Sequence, residues 1–149
     1  MRRPNLQTQI LRVLQDNLQN NGSFMSYSDI ASAVFGYGYM RKTARGFIAD
    51  IRNAMNHTRT LADANGLLLI PLRKPTKANE KNRWQVIGWK IAVMGFDEKY
   101  IADELLFRKR MGEARSLSTI RFISAAHDNK LISEEKYKEL AGELQLQLS

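Results

Sequence analysis

Apolar positions early in the chain recur at helical spacing. Leu6, Ile10, Val13, Leu14 and Leu18 share one side of residues 5–19, with Gln7, Gln9, Arg12, Gln15 and Asp16 away from it. Asn20, Asn21 and Gly22 predict the end of this helix, since glycine enters turn or left-handed backbone at little steric cost. Ser26 with Asp29 three residues on has the form of a capping box, and Ile30, Ala31, Val34 and Phe35 give a second helix of about nine residues its short apolar face. The Gly36-Tyr37-Gly38-Tyr39 segment reads as a turn. Over residues 42–59, Ala44, Phe47, Ile48, Ile51, Ala54, Met55 and Thr58 fall in one sector at 100 degrees per residue and predict a third helix. Its opposite sector carries Lys42, Arg45, Gly46, Ala49, Arg52, Asn53 and Asn56, with Asp50 and His57 at the margin.

The period then changes. After the helix-ending Asn65-Gly66 pair, the run Leu67–Leu72 is too short for a buried helix and reads as a strand, and Trp84–Trp89, rich in aromatic and β-branched residues, reads as a second. Pro71 and Pro75 restrict the first to a short or edge role. Residues 73–83 between them hold five Lys/Arg and one Glu, which makes the pair a hairpin with a long basic tip. Three further helices follow. The first starts near Asp97, contains Tyr100, Ile101, Leu105 and Leu106, carries Arg108, Lys109 and Arg110 in its last turn to complement the dipole, and stops at Gly112. The second covers about 114–127 with Leu117, Ile120, Ile123 and Ala126 on one face beside Phe122. The third is capped by Ser133 and carries the stripe Tyr137, Leu140, Ala141, Leu144 and Leu148.

Charge adds a direction to this outline. The 149 residues carry a formal +8, but the surplus is local: 14 Lys+Arg against 5 Asp+Glu up to Lys90, or +9, and 9 against 10 from Ile91 onward, or −1. A small basic domain attracts polyanions, and no basic amphipathic helix with an aromatic apolar face directs it to a membrane surface. The outer sector of the third helix combines cations, amides and two residues without bulk, and it has no Glu, a composition suited to close approach to a duplex groove. With no cysteine, and no run near the roughly 18 apolar residues of a membrane span, the expected address is the cytoplasm.

Helix, helix, turn, helix and a basic-tipped hairpin over residues 5–92 resemble the winged helix-turn-helix superfamily in order, length and charge placement. The resemblance implies a mainly α fold with a small β-hairpin (α+β), a DNA-binding domain at 1–93 and a C-terminal helical unit of about three helices at 94–149. It puts Lys42, Arg45, Ala49, Arg52 and Asn53, with Asn56 on the same sector, toward base edges. Lys74, Lys77, Lys81 and Arg83 of the wing go to the DNA backbone. Arg45 and Asn53 are the expected base readers, through the bidentate geometry of Arg on guanine and Asn on adenine. The turn before the third helix is longer than in the simplest helix-turn-helix units. The C-terminal unit either dimerises the protein, so that paired domains read paired half-sites, or packs within the chain.

The expected function is therefore sequence-preferring binding to double-stranded DNA, as a transcriptional regulator or a replication or partition accessory factor of prokaryotic or phage type. The alternative is a winged-helix interaction module that grips an acidic protein partner. A third reading, RNA binding through Tyr37, Tyr39 and Arg41, predicts a preference for single strands. Catalysis finds little footing. His57 and His127 are the only histidines, no Gly-rich phosphate loop or nucleophile elbow is present, and Asp50, Asp63 and Glu80 are scattered. Asp97, Glu98, Asp103 and Glu104 are explained by the start of a helix. No enzyme activity, metal or cofactor is expected.

Overall fold

The computed structural model describes residues 5–20, 22–36, 44–75 and 84–146, the side chains of Asn20, Ala44, Arg45, Pro75 and Trp84 excepted. The fold is mainly helical with a small antiparallel sheet, of the α+β class, followed by three C-terminal helices. In order these are α1 (Leu6–Asn20), β1 (Met25–Ser26), α2 (Tyr27–Phe35), α3 (Ala44–Ala64), β2 (Leu69–Pro75), β3 (Trp84–Ile91), α4 (Glu98–Arg110), α5 (Leu117–Asp128) and α6 (Glu134–Glu143). The chain divides into two compact units, one of residues 1–65 and 71–91, the other of 66–70 and 92–149.

In the first unit, Asn5 opens α1 by accepting from the Thr8 amide at 3.0 Å, which satisfies a donor the helix cannot. Ile10, Leu11 and Leu14 are its buried face, while Leu6, Val13 and Leu18 of the expected stripe are half-buried. The α2 capping box forms as its spacing predicts: Ser26 Oγ accepts from the Asp29 amide at 3.0 Å and Asp29 Oδ2 from the Ser26 amide at 3.2 Å. Ile51, Met55, Thr58 and Ala62 are the buried positions of α3, and Thr58 resolves its hydroxyl by donating to the Ala54 carbonyl at 2.9 Å. The Phe35 and Phe47 rings, 4.3 Å apart between centroids, join α2 to α3. This helix outruns its sequence-predicted end at 59 because Arg59–Ala64 lacks Gly and Pro; Asn65 and Gly66 stop it.

The sheet departs from a two-stranded hairpin. Its order is β1-β3-β2, so β2, with both prolines, does take an edge, and β1 supplies a third strand on the other side. Met25 pairs with Trp89 and Ser26 with Gly88. Gly88 is required there, since a Cβ would sit 2.8 Å from the Met25 carbonyl oxygen. A two-residue strand has no period to read, which is why the sequence concealed it.

In the second unit, Ile101, Leu105, Phe122, Ile123, Ala126, Leu140, Ala141 and Leu144 are buried. Arg108 stands in the last turn of α4 with Lys109 and Arg110, as expected, and its side chain is buried, with Nε 2.9 Å from Glu104 Oε2, Nη1 3.4 Å from Thr119 Oγ1 and the guanidinium 4.6 Å from the Phe122 ring centre. Two expectations need correction. Glu104 is this arginine's partner, and Asp97 turns its carboxylate to the Val93 amide at 2.7 Å, so the helix dipole does not account for either. Leu117 and Ile120 are exposed, because the buried face of α5 is rotated onto Thr119, Phe122, Ile123 and Ala126. Helix α6 ends at Glu143, where Gln145 at φ +55° turns the chain and the Leu146 amide returns to the Ala141 carbonyl at 2.9 Å. Leu148 lies outside the described residues.

Candidate nucleic-acid interface

The buried stripe of α3 fixes what the helix turns outward. With Ile51, Met55 and Thr58 in the core, Gly46, Arg52, Asn53 and Asn56 are exposed and Ala49 is half-buried. Arg52 and Asn56, four residues apart, are neighbours on this surface. Arg45 belongs to the helix by its backbone. Lys74 is exposed near the end of β2. Lys42, Lys77, Lys81 and Arg83 lie outside the described residues, as do Tyr37, Tyr39 and Arg41.

Aromatic rings set the position of the cations beside this face. The Arg52 guanidinium lies 5.2 Å from the centre of the Tyr27 ring, and Arg59, seven residues along α3, lies 5.7 Å from that of Trp89. Trp89 is buried and donates its indole N–H to the Tyr27 hydroxyl at 3.1 Å. Lys90 sits 5.8 Å from the Phe24 ring centre. Trp89 falls at the end of the second predicted strand, and no pattern in the sequence marks Tyr27. Its link to Arg52 spans 25 residues and has no signature in spacing.

Two cations of this unit, Arg52 and Lys74, are not neutralised by the described acidic residues nearest them in sequence. Asp29 is engaged by the Ser26 amide, and among the described residues Asp16, Asp29 and Asp50 form no ion pair with Arg52 or Lys74. The surface thus offers unneutralised donors: a planar guanidinium with five N–H groups, two carboxamides and an ammonium. Such a set recognises anionic oxygens and base edges, and it supplies no nucleophile or general base. Among the described residues no group of three or more His, Asp or Glu side chains is placed to hold a metal ion, and no helix is long and apolar enough to cross a membrane. Comparison of the chain with protein-family models, with curated proteins and with solved structures finds no match.

Proposed function

We propose that the protein binds double-stranded DNA with sequence preference, as a transcriptional regulator or a replication or partition accessory factor of prokaryotic or phage type acting in the cytoplasm. The observation that carries this reading is the outward face of α3, where Arg52, Asn53 and Asn56 stand exposed beside Gly46, in a segment whose charge is +9 up to Lys90. Three helices followed by antiparallel strands are compatible with a winged helix-turn-helix, in which α3 enters the major groove and the β2–β3 connection meets phosphates. Arg45 and Asn53 read bases, and Lys74, Lys77, Lys81 and Arg83 contact the backbone. Phosphate contacts make binding steeply salt-dependent, and bidentate contacts from Arg or Asn discriminate bases by about 1–3 kcal/mol each.

The C-terminal helices pair two copies in this proposal. Met94, Phe96, Tyr100, Leu106, Met111, Leu117 and Ile120 are the exposed large apolar residues among those described, and all fall in the second unit. Apolar surface concentrated in this way is typical of association sites. The test is binding of the purified protein to random duplex DNA, single-stranded DNA and RNA across a salt series, with selection from the duplex pool. Salt-sensitive duplex binding that enriches a palindrome is the expected result. Absence of duplex binding at low salt overturns the proposal in favour of an acidic protein partner, and preference for single strands overturns it in favour of RNA.

A further inference from the structure

The geometry points to Tyr27 as a positioning residue that holds Arg52 over its ring, so that the guanidinium meets duplex DNA already oriented; the inference rests on the DNA-binding reading above. The arrangement starts in the sheet. Gly88 admits β1 against β3, because any Cβ there would meet the Met25 carbonyl oxygen at 2.8 Å. That contact sets Met25 opposite Trp89 and Ser26 opposite Gly88, and Tyr27 follows as the first residue of α2. Its backbone is secured by the Ser26 capping box, and its hydroxyl accepts the Trp89 indole N–H at 3.1 Å. Trp89 is only 5% exposed, so the Tyr27 ring is tied to the core at one end. At the other, Arg52 is exposed and stacked 5.2 Å from the ring centre.

The contact with the ring leaves the guanidinium N–H donors of Arg52 available: among the described residues they make no hydrogen bond or ion pair. Arg59 makes the corresponding contact with Trp89, but it is half-buried and has further partners, so the ligand-facing role falls to Arg52. A free arginine gives up side-chain rotamer freedom when it is fixed on a base or phosphate, and a stacked one has given up part of it on folding. The affinity gained by such preorganisation comes without any contact between Tyr27 and the nucleic acid.

The test joins duplex binding to a direct view of the stack. In the wild-type protein, the Arg52 side-chain protons should be shifted upfield by the Tyr27 ring current in nuclear magnetic resonance spectra. Tyr27→Leu should abolish that shift and weaken duplex binding by about two- to fivefold, the range of an exposed cation–π contact. Tyr27→Phe, which keeps the ring and loses only the hydrogen bond from the Trp89 indole, should retain most of the shift and most of the affinity. In an Arg52→Ala background, Tyr27→Leu should have no further effect on binding, a result that a merely structural role for Tyr27 would not give. An equal loss in that background overturns the inference, as does duplex binding without the upfield shift. The shift without any duplex binding instead removes the DNA reading, and the positioning role with it. The wild-type shift and the Tyr27→Phe variant keep the inference open to refutation if Tyr27→Leu does not fold.

Discussion

Arg108 and Glu104 form an ion pair inside the second unit, with their side chains 5% and 2% exposed. Arg108 is one of three consecutive cations, with Lys109 and Arg110, in the last turn of α4. In the fold it lies across Phe122 and between Glu104 and Thr119, and no buried side-chain polar atom among the described residues is left without a partner. Both members of the pair are desolvated, so removing one strands the other as a buried charge. Glu104→Leu should destabilise the protein by about 3–5 kcal/mol, and adding Arg108→Met should recover much of that loss, as measured by denaturant unfolding. Gly88→Ala should cost about 1–3 kcal/mol, because β1 and β3 must separate to admit the new methyl group. The Glu104 and Arg108 pair has the i, i+4 spacing of countless surface pairs, so spacing alone did not reveal its burial. The Ser26 and Asp29 capping box was readable because both of its hydrogen bonds close within four residues.

At the scale of elements, the signals that carried were local ones. Ser26 and Ser133 accept amides from Asp29 and Lys136, three residues into the helices they open, and Ser116, not predicted from the sequence as a cap, accepts from Thr119 in the same way. Replacing Ser133 by Ala should cost about 1 kcal/mol in thermal unfolding, and it also removes the hydroxyl that donates to Glu98 Oε1 at 3.3 Å. The outward face of α3 followed from its period, since Ile51, Met55 and Thr58 are buried as their spacing required. Helix rotation was less readable where two faces both hold apolar residues: on α5, Leu117 and Ile120 lost the core to Thr119 and Phe122. Helices α4 and α6 are also tied by Lys109 Nζ and Glu143 Oε2, 2.9 Å apart. The hydrogen bond from Lys109, and then its charge, hold the Glu143 carboxyl below its ordinary value of 4.5. A carboxyl lowered in the folded state contributes stability that is complete above pH 4.5 and is lost as pH falls through the lowered value. A titration of Glu143 followed by its side-chain carbon shift should therefore have its midpoint below 4.5, and Lys109→Met should return it toward 4.5.

For the whole molecule, the division of charge and the division of apolar exposure run in opposite directions. The basic surplus lies up to Lys90, and the exposed large apolar residues described lie from Met94 onward. On the proposed reading, salt should weaken DNA binding through the first group while leaving self-association through the second nearly unchanged. Lys74→Ala should weaken all duplexes alike and reduce the slope of log affinity against log salt by about 0.9, as read from a salt series. Net charge and its location were visible in the sequence, because both are counts along the chain. The docking of Arg52 on Tyr27 was not, since it depends on a strand of two residues and a hydrogen bond between residues 62 apart.

The path of the chain constrains how this protein can be divided or recombined. Residues 66–70 group with 92–149, although they lie between two stretches of the first unit, so the backbone passes from one unit to the other three times. Neither unit is a cassette that a single junction can transplant. A fragment ending at Ile91 keeps Leu68, Leu69 and Ile70, each at most 3% exposed in the intact chain, while losing the residues they cluster with. Such a fragment should bind more of a hydrophobic dye than the intact protein. A functional graft of the α3 face onto another scaffold will need a circular permutation or a redesigned β2, because the inheritable piece is a discontinuous set of segments.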